Sequence, residues 1–151
     1  MDVRIRNAII GGFVMMFSTT PVLADETAGT IKQTKGEVSI VRNGAPIQAW
    51  TRMKLMTTDK IITGSNSSVG ITLLDGTLLS FGSKSVSQLN EFRYDPVSRE
   101  GNLLISVIKG SMRFVTGLLG KHNPNAVGIR TPTATIGMRG TDFIVTVEGG
   151  E

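Results

Sequence analysis

Apolar and polar residues alternate along most of the chain after residue 24, and this period of two constrains the fold more than any other feature. In SSVGITLL, Val69, Ile71 and Leu73 fall on one face, and NLLISVIKG and TDFIVTV repeat the alternation. Strands place successive side chains on opposite faces, whereas an amphipathic helix requires spacings of three and four. No stretch beyond residue 24 keeps helical spacing for three turns. The alternation therefore predicts an all-β protein built from half-buried strands.

Turn residues separate these strand-like runs. Asn43-Gly44 follows one run in VSIVRNGAPI, and Asp75-Gly76 follows another in GITLLDGTLLSF. Both dipeptides tolerate the positive φ angles of tight hairpin turns, and Lys109-Gly110 is a weaker third candidate. A glycine followed by alternating apolar residues also recurs along the chain at irregular spacing. These features predict stacked antiparallel hairpins in a β-solenoid-like or sandwich-like arrangement.

The first 24 residues have the composition of an export signal. Two arginines precede ten apolar or small residues, AIIGGFVMMF, and Val22 and Ala24 suit the −3 and −1 positions of a cleavage site. A membrane span needs about 20 apolar residues, so this run is too short for an anchor. We therefore expect an N-terminal signal helix over residues 1–24, cleaved before Asp25. The exported part, residues 25–151, should form one β domain with no stable membrane span.

Composition excludes several classes of protein. The 151 residues include no cysteine, so disulfides and thiolate metal sites are excluded. The formal net charge is +4, but the basic residues are scattered singly rather than grouped in the stripe that nucleic-acid binders present. Export also argues against a genomic partner. We expect no nucleic-acid partner and a core held together by apolar packing alone.

Catalytic and metal chemistry has little support in the sequence. His122, the only histidine, lies in GKHNPNA, whose Gly, Asn and Pro residues indicate a surface loop. No GxSxG elbow positions a nucleophile for it, and the acidic residues are too dispersed for a local calcium loop. We therefore expect no catalytic residue, no metal site and no cofactor. A hydrolase site assembled from distant loops is the alternative.

The segment TPTATIGMRGTDFIV has the strongest appearance of a functional motif. It lacks the glycine pattern and the strand–loop–helix setting of a phosphate-binding loop. We interpret it as a structural turn before a strand, in which Ile136 and Met138 point inward, Gly137 admits a neighbouring strand and Gly140 forms the turn. Arg139 and Asp142 should pair with each other or with backbone groups. The residues assigned to this signature turn are Gly137, Arg139, Gly140, Thr141, Asp142 and Phe143.

Five segments, taken in order, resemble a FecR-type domain. They are GEVSIVRNG, LMTTDKIITGSNSSVGITLLDGTLLSF, LNEFRYDP, KGSMRFVTG and TPTATIGMRGTDFIV, and together they run from Gly36 to Val147. The resemblance implies an all-β periplasmic module without a known catalytic role. The best-known members receive a signal from an outer-membrane receptor and control a sigma factor through a cytoplasmic segment. Many other relatives are exported proteins outside any sigma-factor circuit.

The chain departs from those regulators at its start and at one internal position. Only seven residues, MDVRIRN, precede the apolar run, so the sigma-factor role is not carried over. Thr58 replaces the glycine that is usual before the aspartate matched by Asp59. The resemblance implies a non-catalytic periplasmic or secreted module for interaction, sensing or regulation in the envelope. We expect an envelope protein, or another copy of the chain, to bind the C-terminal strand. The alternatives are an envelope hydrolase and a self-assembling structural protein.

Overall fold

The fold is known from a computed structural model that describes residues 26–138 and 140–149. Twelve strands, one short α-helix and one 3-10 helix make up the described part. In chain order they are β1 (Thr27–Lys35), β2 (Val38–Arg42), β3 (Ala45–Gln48), β4 (Lys54–Met56), β5 (Lys60–Thr63), β6 (Ser68–Leu73), β7 (Leu78–Phe81), β8 (Val86–Tyr94), β9 (Gly101–Val115), α1 (Leu118–His122), the 3-10 helix Pro124–Ala126, β10 (Val127–Arg130), β11 (Thr135–Gly137) and β12 (Asp142–Val147). The expected signal helix, the cleavage site after Ala24 and Arg139 lie outside the described residues.

The strands form a single curled, mostly antiparallel sheet, which confirms the all-β prediction. One half contains β4, β1, β6, β7 and β12, and the other contains β3, β2, β5, β8, β10 and β11. The long strand β9 belongs to both halves. Its first part pairs with β8 and with β10, whereas its last part pairs with β7 and β12.

The core lies between the two halves and follows the alternation in the sequence. In β6, Val69, Ile71 and Leu73 are buried, and the residues between them are half exposed. The side chains of Phe81 and Phe114 are the largest that are fully buried. Each large apolar side chain removed from water contributes roughly 1.5–3 kcal/mol to the free energy of folding. The sheet is therefore stabilised by apolar burial without disulfides.

Two of the three predicted hairpin turns occur in the structure. Asn43 and Gly44 have φ angles of 51° and 77° and connect β2 to β3, as a two-residue turn of this hand requires. At the second turn only Gly76 has positive φ, and the amide of Leu73 donates to the carbonyl of Thr77. That connection is therefore a three-residue loop closed by a glycine bulge.

The third turn prediction is wrong. Residues Lys109 and Gly110 lie inside β9, which continues without a reversal from Gly101 to Val115. Gly110 has a φ of 89° and marks the point where β9 passes from one half of the sheet to the other. A residue with positive φ bends a strand as readily as it closes a hairpin, so the dipeptide does not distinguish these structures.

A set of hydroxyl groups, of which those of Thr63, Ser67 and Ser85 belong to buried residues, lies where the chain crosses between the halves. We call Thr63, Ser67, Ser83, Ser85 and Ser111 the hydroxyl seam. The Thr63 Oγ1 donates to the carbonyl of residue 82 and accepts from the amide of Ser85 at 2.9 Å. The amide of Ser111 donates to the Ser85 Oγ at 3.1 Å. These bonds satisfy backbone groups that leave the sheet ladder at the crossings.

Candidate interaction surface

The signature turn joins β11 to β12 at one end of the curled sheet. Gly140 has a φ of 99°, so the expected role of this glycine in the turn agrees with its backbone geometry. The carbonyl of Thr141 accepts a hydrogen bond from the amide of Thr116 at 2.8 Å. The ring of Phe143 stacks on Phe114, with centroids 5.3 Å apart. These contacts attach the turn to the end of β9 and set the start of β12.

The predicted role of Gly137 does not agree with the structure. A Cβ atom added at Gly137 would meet nothing within 4 Å, so no close approach of another strand requires glycine there. Ile136 and Met138 do pack against the buried core, as the alternation predicted. The packing of Ile136 and Met138 therefore holds the turn in place, whereas Gly137 has no steric role.

Asp142 forms its ion pair with Arg113, a residue that sequence reasoning did not connect to the motif. Arg113 Nε lies 3.0 Å from Asp142 Oδ1, and Arg113 Nη2 lies 2.6 Å from Asp142 Oδ2. The two side chains remain 56% and 45% exposed, respectively. The hydrogen bonds from Arg113 hold the pKa of the Asp142 carboxyl below its usual value, and the same bonds raise the pKa of Arg113. The pair links β12 to β9 on the outer face of the sheet.

The outer edge of β12 has backbone groups that no other described strand pairs with. Thr116 and Thr141 are joined by a backbone hydrogen bond, and the register with β9 continues without a bulge from Asp142 to Val147. Bonded and non-bonded positions alternate in an antiparallel pair, so residues 143, 145 and 147 bond to β9. The N–H and C=O groups of residues 142, 144 and 146 therefore point away from β9, along an open edge.

The side chains of β12 separate by face in the same way. Val145 is buried, and Phe143 and Val147 are half-buried against the core. On the other face the Ile144 side chain is 68% exposed. The edge therefore combines free backbone groups with an exposed apolar side chain.

Two clefts lie between β12 and the hairpin formed by β10 and β11. One has a volume of about 540 Å³ and is lined by residues that include Ile136, Met138 and Phe143. The other has a volume of about 390 Å³ and is lined by residues that include Ile108, Ile136 and Val147. Apolar side chains thus flank the inner side of the open edge.

The other edges of the described sheet are poor templates for strand addition. Strand β3 contains Pro46, which lacks an N–H group, and β4 has three residues and carries Lys54. Strand β11 also has three residues. Proline, lysine and short length are the usual protections of an edge strand. Strand β12 has six residues and contains neither proline nor lysine, and its one charged residue, Asp142, is paired with Arg113.

His122 lies at the end of α1, beside a polar cleft that Arg93, Glu100, Asn102 and Asn123 also line. Glu100 could orient the imidazole, but no serine, threonine or cysteine is among the described residues that line this cleft. A hydrolytic site would require a nucleophile and an orienting acid beside the imidazole. The geometry around His122 therefore does not assemble the constellation that the hydrolase alternative needs.

The described residues offer neither a cluster of metal ligands nor a membrane-spanning helix. Across residues 26–138 and 140–149, no group of three or more His, Cys, Asp or Glu residues is placed to hold a metal ion. Within those same ranges, no helix is both long and apolar enough to cross a membrane. Neither finding adds a ligand or a membrane segment to the surface described above.

A family model described as FecR protein matches residues 59–151, which is more than half of the chain. The chain belongs to the FecR family. The match begins at Asp59 rather than at Gly36, so β1 to β4 of this FecR-domain protein fall before it. The family is associated with signalling and regulation at the cell envelope. No curated protein and no solved structure matches the chain.

The part of the FecR domain that sequence reasoning missed is the partner of Asp142. Arg113 lies in KGSMRFVTG at a position whose neighbours, Met112 and Phe114, are buried, so its outward direction is predictable from the alternation. The strand that lies beside Arg113 is not predictable in this way, because Arg113 and Asp142 are 29 positions apart in the chain. Only the pairing of β9 with β12 brings them together.

Proposed function

We propose that this FecR-domain protein is a non-catalytic interaction and sensing module of the bacterial envelope, located in the periplasm. Its partner binds by adding an extended strand to the free edge of β12. The observation that carries this proposal is the open edge, where residues 142, 144 and 146 direct their backbone groups away from β9. Strand addition gives affinity through main-chain hydrogen bonds and specificity through alternate side chains.

The surroundings of β12 support this mode of binding. An added strand would cover the exposed face of Ile144 on one side and reach the apolar clefts beside Phe143 on the other. The Asp142 carboxylate is already bound by Arg113, so an incoming strand does not have to neutralise it. The arrangement provides recognition without a reacting group, in agreement with a regulatory family.

Site-specific photo-cross-linking tests the proposal in the native envelope. A photoreactive residue at position 144 should give a discrete adduct, whereas the same residue at Val97, which is 91% exposed in a loop, should not. Thr146→Pro removes an outward N–H group and should abolish the adduct. Equal labelling from both positions, or an adduct that persists in the proline variant, would contradict strand addition at β12.

A matched control separates loss of binding from loss of folding. Thr146 does not use its N–H group in the ladder with β9, so Thr146→Pro should keep the fold and melt within a few degrees of the wild type. Val145 bonds to β9, so Val145→Pro should unfold the C-terminal strand. If the two variants melt alike, the assignment of the outward groups is wrong.

The proposed location has its own test. Sequencing of the N-terminus of the exported protein should begin at Asp25, because the export signal is expected to end at Ala24. Fractionation should then recover the mature protein with the soluble periplasmic contents. An uncleaved N-terminus that stays with the inner membrane would overturn this location.

A further inference from the structure

We infer that the strand received by β12 is β12 of a second copy, antiparallel and related by a two-fold axis through Ile144. This inference rests on the proposed strand addition and names its partner. A closed dimer of this kind presents the same surface patch from both copies, so the patch must be complementary to itself. The backbone and the side chains of β12 meet that requirement. The other edges of the sheet bear on how many copies can assemble.

The backbone groups of β12 are symmetric about Ile144. The outward positions are residues 142, 144 and 146, evenly spaced with 144 in the centre. A two-fold axis at 144 pairs it with itself and pairs residue 142 of each copy with residue 146 of the other. Each facing pair exchanges two hydrogen bonds, so the interface gains about six. Every outward group in the strand then has a partner.

The side chains are also compatible with this register. Ile144 faces Ile144 of the second copy, which brings the two exposed apolar side chains into contact. Asp142 faces Thr146 of the second copy, so no like charges are opposed. The carboxylate also remains bound to Arg113 on its own chain, and no unpaired charge enters the interface.

Neighbouring symmetric registers are less favourable. An axis through residue 142 would place the two Asp142 carboxylates opposite each other. An axis through residue 146 would place Glu148 opposite Ile144. An axis through Phe143 would place Asp142 opposite Ile144 and would leave Thr146 opposite residue 140, outside the strand. An axis through Val145 would place Asp142 opposite Glu148, which opposes like charges. The register centred on Ile144 avoids all of these conflicts.

The other edges of the described sheet limit assembly to two copies. Pro46 in β3, Lys54 in β4 and the short length of β11 oppose further strand addition. Pairing through β12 uses the same edge in both copies, so the two-fold closes and leaves no free β12 edge for a third copy. The expected product is a discrete dimer, which differs from the open-ended assembly of a structural protein.

Cysteine cross-linking tests the axis directly, because the natural chain has no cysteine. With the purified protein of residues 25–151, Ile144→Cys should give a covalent dimer with a short bismaleimide, whereas Val97→Cys should give no covalent dimer. A mixture of Asp142→Cys and Thr146→Cys should cross-link between the two variants far more than either variant does alone. That preference reports the register, since the inferred axis places these positions opposite each other.

Light scattering on a sizing column gives the oligomeric state independently. The wild type should elute as a dimer, and Thr146→Pro should weaken dimerisation about tenfold or more while its melting temperature stays within a few degrees of the wild type. A wild type that is monomeric throughout the micromolar range, with no cross-link at residue 144, overturns the inference. So does a dimer that Thr146→Pro leaves intact, or equal cross-linking at Val97.

The outcomes also distinguish this inference from the proposed function. If the protein is monomeric but the photoreactive residue at 144 still gives an adduct to a different protein that Thr146→Pro abolishes, strand addition stands and the second copy is wrong. If neither a dimer nor such an adduct forms, both are wrong. If the adduct from the envelope has twice the mass of the mature chain, both are supported.

Discussion

Arg113 on β9 and Asp142 on β12 form a two-point ion pair, with N–O distances of 3.0 and 2.6 Å, across the last antiparallel ladder of the sheet. Arg113 directly faces Ile144 in the register, so the ion pair is a diagonal one between neighbouring positions. The pair therefore fixes the start of β12, next to the exposed side chain that gives this edge its apolar character.

The ion pair predicts a specific loss of stability in acid. Because the folded-state pKa of Asp142 is lowered, its contribution is present above the ordinary aspartate pKa near 3.8 and is lost as the pH falls through the folded value. Asp142→Asn should therefore reduce the dependence of the unfolding free energy on pH between about pH 5 and pH 2. Urea denaturation of the wild type and the variant at each pH measures the unfolding free energy.

Two controls accompany this measurement. Added salt should reduce the difference between wild type and variant at neutral pH, because both side chains are exposed to solvent. Asp142→Ala should likewise lower the melting temperature at neutral pH. If Asp142→Asn leaves the acid dependence unchanged, the pair does not contribute to the stability of the folded state.

Thr58 predicts a stabilising substitution. This β-branched residue has a φ of 76°, a region in which L-residues other than glycine are strained by roughly 1–2 kcal/mol. Thr58→Gly should relieve that strain and raise the free energy of unfolding by about 1 kcal/mol after the entropy of the extra glycine is subtracted. The neighbouring Thr57 has no positive φ, so Thr57→Gly should destabilise the protein. Equal effects of the two variants would contradict this account.

Gly110 predicts a strongly destabilising substitution at the bend of β9. A Cβ atom there would overlap Ser85 of the hydroxyl seam, and the φ of 89° is itself unfavourable for alanine. Gly110→Ala should therefore cost about 3 kcal/mol or more of unfolding free energy. Gly44 has a similar φ of 77° but open space around it, so Gly44→Ala should cost only about 1 kcal/mol. The difference between the variants isolates the overlap with Ser85.

Ser87 and Ser85 predict opposite results for the same substitution. The Ser87 Oγ is buried and has no hydrogen-bond partner among the described residues. Ser87→Ala should therefore be neutral or stabilising by up to about 1 kcal/mol. Ser85→Ala removes the acceptor of the Ser111 amide and should cost about 1–2 kcal/mol. Thermal unfolding of both variants measures the contrast, and a loss of stability in Ser87→Ala would reveal a missing partner.

The sequence predicted the strands well because a period of two is a local property. It also predicted the turn at Asn43 and Gly44, because few residues other than asparagine and glycine adopt positive φ at two consecutive positions. The dipeptide Lys109-Gly110 predicts a turn because a turn and a bend use the same local geometry. The contact with Ser85, 25 positions away along the chain, distinguishes the two structures.

The candidate surface was predictable only in part. The exposed position of Ile144 follows from the alternation, and the resemblance to a family identified the position of Thr58 as one that favours glycine. The partner of Asp142 and the free edge of β12 depend on which strands become neighbours. That choice is made by long-range packing of the two halves on β9, which no local pattern encodes.

Strand β9 has a kinetic consequence for the whole protein. Four other strands pair with it, and it begins at residue 101, so the first eight strands have no complete sheet to join until that part of the chain is present. Contacts of such long sequence separation make folding slow and cooperative. A fragment that ends before Gly101 should remain unfolded. The whole chain should stay susceptible to proteolysis until its last third has paired with the other strands.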